Sequence, residues 1–133
     1  MEEVTIRVET EVYPTEAEEK VKTAVANMFG DISTQTKPSY RGSILTAEAK
    51  GQEALIKLRN LLRMDRVRDA ARKVLFGSLR GETISFCLNK QVAFAGHVSF
   101  SEEVAESPLG PLRVVIECEN PRQLIDWLAP RTT

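Results

Sequence analysis

Apolar and polar residues alternate at the start of the chain. Val4, Ile6, Val8 and Val12 share one parity, and Thr5, Arg7 and Glu9 the other. A period of two predicts a half-buried strand, ended by Pro14. Thr15 stands three residues before Glu18, a capping-box spacing that lets each side chain take a backbone N–H at a helix start. Ala17, Val21, Ala24, Val25, Met28 and Phe29 keep a helical stripe, with Gly30 as its expected left-handed stop. Asp31–Arg41 is polar and turn-rich, a short strand followed by a loop. Gly42–Lys50 reads as an edge strand bracketed by Gly42 and Gly51; an early turn of helix is the alternative.

Gln52–Leu75 is helical in composition but not in one phase. Leu55, Leu58 and Leu62 mark one stripe, and Val67, Ala70, Ala71, Val74 and Leu75 another. At 100° per residue the two stripe centres differ by roughly 130°. A straight helix cannot bury both against one sheet, so a break is expected near Met64–Asp65, with Asp65 capping the second piece. Gly77 and Gly81 are expected to end the helical region. Ile84, Phe86 and Leu88, then Val92, Phe94, Val98 and Phe100, predict two strands of a hairpin with Asn89-Lys90-Gln91 as its turn. Gly96 reads as a bulge or close backbone approach. Leu112, Val114, Ile116 and Cys118 predict the last strand. Asn120 caps a closing helix with Pro121 at its first position, and Pro130 stops it. The expected order is β-α-β-β-α-α-β-β-β-α: a single α+β domain over residues 1–133, with an antiparallel-rich mixed sheet and helices mainly on one face.

Charge changes this picture. The net charge is only −1, but Lys57–Arg80 holds eight cations against Asp65 and Asp69, leaving −7 for the rest of the chain. Such asymmetry fits one polyanion-facing surface; a salt-bridged helix is the plainer alternative. At 133 residues, with 42% hydrophobic and 28% charged residues, the chain has the make-up of a globular domain with its own core. It has no apolar run of membrane-spanning length, and its acidic, alternating start is not a signal peptide. A cytoplasmic location is expected. Cys87 and Cys118 form no CxxC pair and have only His97 for company, so buried thiols are expected rather than a zinc site. No cofactor is implied.

Four strings occur in order: RDAAR at Arg68–Arg72, LNKQ at Leu88–Gln91, PLGP at Pro108–Pro111 and DWLAP at Asp126–Pro130. Together they resemble the archaeal uncharacterised protein family 0201 over essentially the whole chain. The resemblance implies a fold similar to the ribosomal protein L-five type. It also implies an RNA-binding protein associated with the archaeal exosome. Some relatives are joined to a P-loop kinase-like domain; this chain has no GxxxxGK[ST], so no kinase role carries over.

The first candidate surface is Arg63, Arg66, Arg68, Arg72 and Lys73, because guanidinium forks match phosphate oxygens. These residues flank the apolar stripe on both sides, so three of the five are expected to reach a phosphate. The second is Asn89, Lys90 and Gln91, two amides and an ammonium at the expected hairpin tip. Tyr40 beside Arg41 could stack on a base, although a surface-packed tyrosine is the plainer reading. Phe94, Phe100 and Trp127 read as packing residues. His97 has no partner for general-base chemistry, and Glu102, Glu103 and Glu106 read as a solvated acidic loop rather than a nuclease metal site. The reading is therefore a non-catalytic RNA-binding accessory to RNA processing or decay, with RNA and a protein of an RNA-processing complex as expected partners. A homodimer is compatible with it, and no membrane is involved. Its rivals are a protein-interaction module and a metal-dependent nuclease.

Overall fold

The computed structural model describes residues 3–40, 42–101 and 110–131. Six strands form one sheet: β1 (Thr5–Val12), β2 (Thr34–Ser39), β3 (Gly42–Lys50), β4 (Thr83–Asn89), β5 (Phe100–Ser101) and β6 (Pro111–Glu117). Their spatial order is β2-β3-β1-β6-β4-β5. Every described pairing is antiparallel, where a mixed sheet had been expected. The helices are α1 (Glu18–Phe29), α2 (Ile56–Met64), α3 (Arg68–Ser78), α4 (Lys90–Phe94) and α5 (Pro121–Leu128), with a 3-10 turn at Gln52–Leu55.

The period-two pattern sets the layers. Val8 lies between Ala47 and Val114, Ile84 faces Ile116, and Phe86 faces Val114; all are buried. The helices cover this face with Val25 and Met28 of α1, Leu58 and Leu62 of α2, Ala71 and Leu75 of α3, and Leu124 and Ile125 of α5. Burying side chains of this size stabilises by about 1.5–3 kcal/mol each. The opposite parity carries Arg7, Glu9, Glu48 and Glu117, all exposed. Arg7 sits on this open face between Glu48, at 3.2 Å, and Glu117. Gly42–Lys50 is a strand, as the alternation predicts, but it lies between β2 and β1 rather than at the sheet edge. Gly42 is needed at its start: its φ is 132°, and a Cβ there would stand 2.4 Å from the Val12 carbonyl oxygen.

The expected hairpin at LNKQ is not formed. Asn89 is the N-cap of α4 and accepts from the Val92 amide at 3.0 Å. Ala93 turns inward while Phe94 is 44% exposed. Of the expected second strand, only Phe100–Ser101 among the described residues pairs with β4. Val92 and Phe94 fit a period of two in sequence, but the asparagine cap and Gly96 delimit one short helix instead. Lys90 is 4% exposed, its ammonium 2.7 Å from the Glu11 carbonyl and 3.1 Å from a Glu16 carboxylate oxygen. Burial pushes the Lys90 ammonium below its ordinary value, and Glu16 offsets part of that shift. Glu16 also accepts from the Tyr13 amide. The Thr15–Glu18 box is not made: Ala17 is the N-cap of α1, with no side-chain cap.

The helical region breaks where the two stripes lose phase, between Met64 and Arg68. Of the second stripe, Ala71 and Leu75 are buried and Val67 is half-buried, while Ala70 and Val74 are exposed; the helix runs past Gly77 to Ser78. Asp65 does not cap α3. Its carboxylate accepts from the Val98 amide at 2.9 Å and lies 3.1 Å from His97 Nδ1, tying the break to the segment after α4. Because a carboxylate only accepts, that ring nitrogen carries the proton. Burial alone would raise the Asp65 carboxyl; the Val98 amide and the His97 ring outweigh it, and the net direction is down.

Two stability outcomes follow from these contacts. Glu16→Gln removes the nearest counter-charge of the buried Lys90 ammonium and should cost about 3–5 kcal/mol in urea unfolding; a loss below about 1 kcal/mol would mean that the remaining partners of Lys90 suffice. Asp65→Ala should cost about 1.5–3 kcal/mol at neutral pH. A depressed folded-state value supplies stability that is complete above about pH 4 and lost as the pH falls through that value. The gap between Asp65→Ala and the parent should therefore narrow in acid, and a gap constant from pH 7 to the acid limit would contradict the contact.

Candidate nucleic-acid interface

Arg63 lies in the last turn of α2, Arg66 in the break, and Arg68 at the first position of α3. The break is closed by two bonds, Arg66 N–H to the Arg63 carbonyl at 3.2 Å and Val67 N–H to the Leu62 carbonyl at 3.0 Å. This is a Schellman motif, whose turning residue is left-handed and usually glycine. Here it is Arg66, at φ 59°, the non-glycine residue with positive φ among those described. The same motif closes α4, where Gly96 bonds Ala93 and His97 bonds Val92. An arginine in this conformation costs on the order of 1 kcal/mol relative to glycine.

The break gathers the three arginines around one concavity of about 350 Å³, with Asp69 on the same rim. Arg63 and Arg68 also border Asn60 and Pro130, beyond the end of α5. Arg63 and Arg66 are exposed and Arg68 is half-buried. Among the described residues, none of the three side chains makes a hydrogen bond or ion pair. The last carbonyls of α2 accept from the Asp65, Arg66 and Val67 amides, so the corner presents mainly donors.

The other basic residues of this region are engaged or point elsewhere. Arg72 donates to the Ala129 carbonyl at 3.2 Å, pairs with Asp126 at 2.7 Å and lies over the Phe76 ring. Arg59 donates to the Trp127 carbonyl at 2.9 Å and stacks on the half-buried Trp127 ring. Lys57 donates to the Ala26 carbonyl at the end of α1. These cations sit at helix C-termini, where the backbone is partly negative. Lys73 is exposed, but five residues place it about 140° around α3 from Arg68.

The LNKQ set does not form one surface. Asn89 is occupied as a cap and Lys90 is inside; Gln91 is exposed, beside a hollow of about 320 Å³ between α1 and α4. Phe94 borders that hollow, with the Lys20 ammonium 5.8 Å from its ring centroid, and is not the core residue expected of it. Phe100 does pack inward, its ring 5.7 Å from that of Phe86. Cys118 is buried and Cys87 half-buried. Tyr40 is fully exposed at the β2–β3 turn; Arg41 lies outside the described residues, as do Glu102, Glu103 and Glu106. Sequence reasoning missed the left-handed Arg66 and the Asp65–His97 contact across 32 residues. The phase jump between stripes locates the break but does not name the residue that turns it.

A family model described as RNA binding matches residues 5–118. A UPF0201 protein of Sulfurisphaera tokodaii is 45% identical over 127 residues, covering 96% of this chain and 88% of that protein. A UPF0201 protein of Sulfolobus acidocaldarius is 42% identical over 125 residues, covering 94% and 86%. The crystal structure of a UPF0201 protein from Methanococcus jannaschii matches with a TM-score of 0.82 at 30% identity, covering 98% of this chain and 95% of that one. A DUF54 protein from Methanothermobacter thermautotrophicus shares the fold, with a TM-score of 0.59 at 18% identity. Aligned with these relatives over nearly its whole length, and sharing their six-stranded α+β architecture, the chain belongs to the archaeal UPF0201 family.

Proposed function

We propose that this protein binds RNA through the α2–α3 corner, with Arg63, Arg66 and Arg68 holding phosphate. The observation that carries the reading is three unpartnered arginines around one concavity, in a chain that matches an RNA-binding family model. Guanidinium groups are donors only, and phosphate contacts dominate the affinity of proteins for nucleic acids. The five-residue basic set narrows to these three because Arg72 is bound to the end of α5 and Lys73 faces away. Of the LNKQ residues, Gln91 is exposed enough to touch a ligand, while Asn89 and Lys90 serve the fold.

The wider role we assign is an accessory one in the cytoplasm, in RNA processing or exosomal decay, without catalysis by this chain. The kinship to ribosomal protein L-five folds belongs to the same proposal. The open sheet face is a poorer RNA surface, because Arg7 is paired with Glu48 and Glu117, and Arg113 lies near Glu11.

Two measurements test this reading. Binding of a mixed-sequence RNA pool should weaken as salt rises from about 50 to 200 mM, and reversing Arg63 or Arg68 to Glu should reduce the log–log salt slope by about 1 each. No binding at the lower salt, or a slope unchanged by both reversals, contradicts the proposal. Arg66→Gly should raise stability by up to about 1 kcal/mol, or roughly 2–6 °C in Tm, while weakening RNA binding. A variant that is both more stable and undiminished in binding would show that Arg66 has no part in the interface.

A further inference from the structure

The corner differs from an ordinary basic helix face in one respect: its unpartnered charge is concentrated, not strung out. A helix that tracks a nucleic-acid backbone would carry unpaired cations along its length. Here the cations on either side are engaged, Arg59 and Arg72 on α5 carbonyls and Lys57 on α1. Lys73 lies about 140° around α3. The open sheet face offers no continuation, since Arg7 is held by Glu48 and Glu117. What remains is a concavity of about 350 Å³ with three arginines on its rim.

Such a site suits one compact, highly charged group better than a run of diesters. A backbone diester carries one charge and two non-bridging oxygens. A terminal phosphomonoester carries a charge of about −1.5 to −2 at neutral pH and three strong acceptor oxygens. Three planar forks, each able to donate two parallel hydrogen bonds, match three oxygens. Asp69 on the rim would disfavour a loosely held anion; Arg63, Arg66 and Arg68 together outweigh its single charge.

We infer that the Arg63–Arg66–Arg68 corner recognises the terminal phosphate of an RNA chain. This rests on the RNA-binding reading above and narrows it from phosphates in general to a strand end. Affinity then resides in one end group, and the bases contribute little to it.

The test uses the full chain and one fluorescent single-stranded RNA of fixed sequence in four forms: 5′-phosphate, 3′-phosphate, hydroxyl at both ends, and circular. One phosphorylated end should bind on the order of tenfold or more tighter than the hydroxyl and circular forms, as expected for one or more extra charge-assisted hydrogen bonds. Which end is preferred identifies the source of the phosphate. Inorganic phosphate should compete, and Arg66→Ala with Arg68→Ala should erase the preference. Arg66 is exposed and Arg68 half-buried, and a thermal melt of the double variant checks that the fold is kept. Equal binding of all four forms, still lost in the double variant, overturns end recognition and leaves the RNA-binding reading standing. A preference that survives the double variant overturns the assignment to this corner. Failure of every form to bind overturns both readings.

Discussion

The reversal at Asp65–Val67 is the constraint on which the rest of the helical layer depends. Leu58 and Leu62 point one way around their helix, and Ala71 and Leu75 another. Both sets are buried in the one hydrophobic core, which no straight helix could achieve. The chain therefore stops α2, turns through one left-handed residue and starts α3 in a new phase. Asp65 secures the turn from the other side by accepting the Val98 amide. The corner is thus held by two hydrogen bonds within the chain segment and by a carboxylate anchored after α4. Its arginines stand on a supported frame, although Arg66 lies in the connection itself.

The region's +6 charge is divided between two tasks. Arg59, Arg72 and Lys57 cap helix carbonyls, and without them the C-termini of α1 and α5 would lose donors and a complementary charge. Arg63, Arg66 and Arg68 serve no such end. The salt-bridged-helix alternative therefore holds for part of the basic run and fails for the rest. The boundary follows the elements: cations facing α1 and α5 are consumed by them, and cations at the corner face outward. A charge count along the chain cannot make this division, because it depends on which helices pack together.

The strands β1, β4 and β6, the strand character of Gly42–Lys50, the phase break and the Asn120 cap with its proline were legible, because each rests on local spacing; that Gly42–Lys50 lies inside the sheet, between β2 and β1, was not, because its neighbours are set by long-range pairing. LNKQ was not. Its lysine is explained by Glu16, 74 residues away, and no local rule brings the two together. Val92, Ala93 and Phe94 satisfy a strand's alternation as well as a helical turn. Asn89 could have decided the matter, since asparagine followed by a short apolar stretch and then Gly96 is a capped helix with a glycine stop; the period-two match on either side obscured it. At the candidate site, the residue types were readable and their grouping was not. Arg63 and Arg68 converge only because the break redirects α3, and Arg72 is withdrawn only because α5 ends beside it.

The two Schellman turns offer a comparison within one molecule. Gly96 and Arg66 occupy the same position in the same motif, one with the residue the backbone favours and one without. At Gly96 nothing lies within 4 Å of where a Cβ would be, so space does not demand glycine there; the left-handed backbone does. The same backbone at Arg66 is strained, and no side-chain hydrogen bond or ion pair among the described residues offsets that strain within the fold. Strain held by a side chain with no structural partner is what a functional site leaves in a stable domain. The neighbours agree: Arg63 and Arg68, on the same rim, also make no side-chain hydrogen bond or ion pair among the described residues, while the arginines one turn away on each side are satisfied. A corner built only to reverse the chain would favour glycine at position 66. On the proposed RNA-binding reading, the arginine there makes the turn a presenting surface as well as a joint.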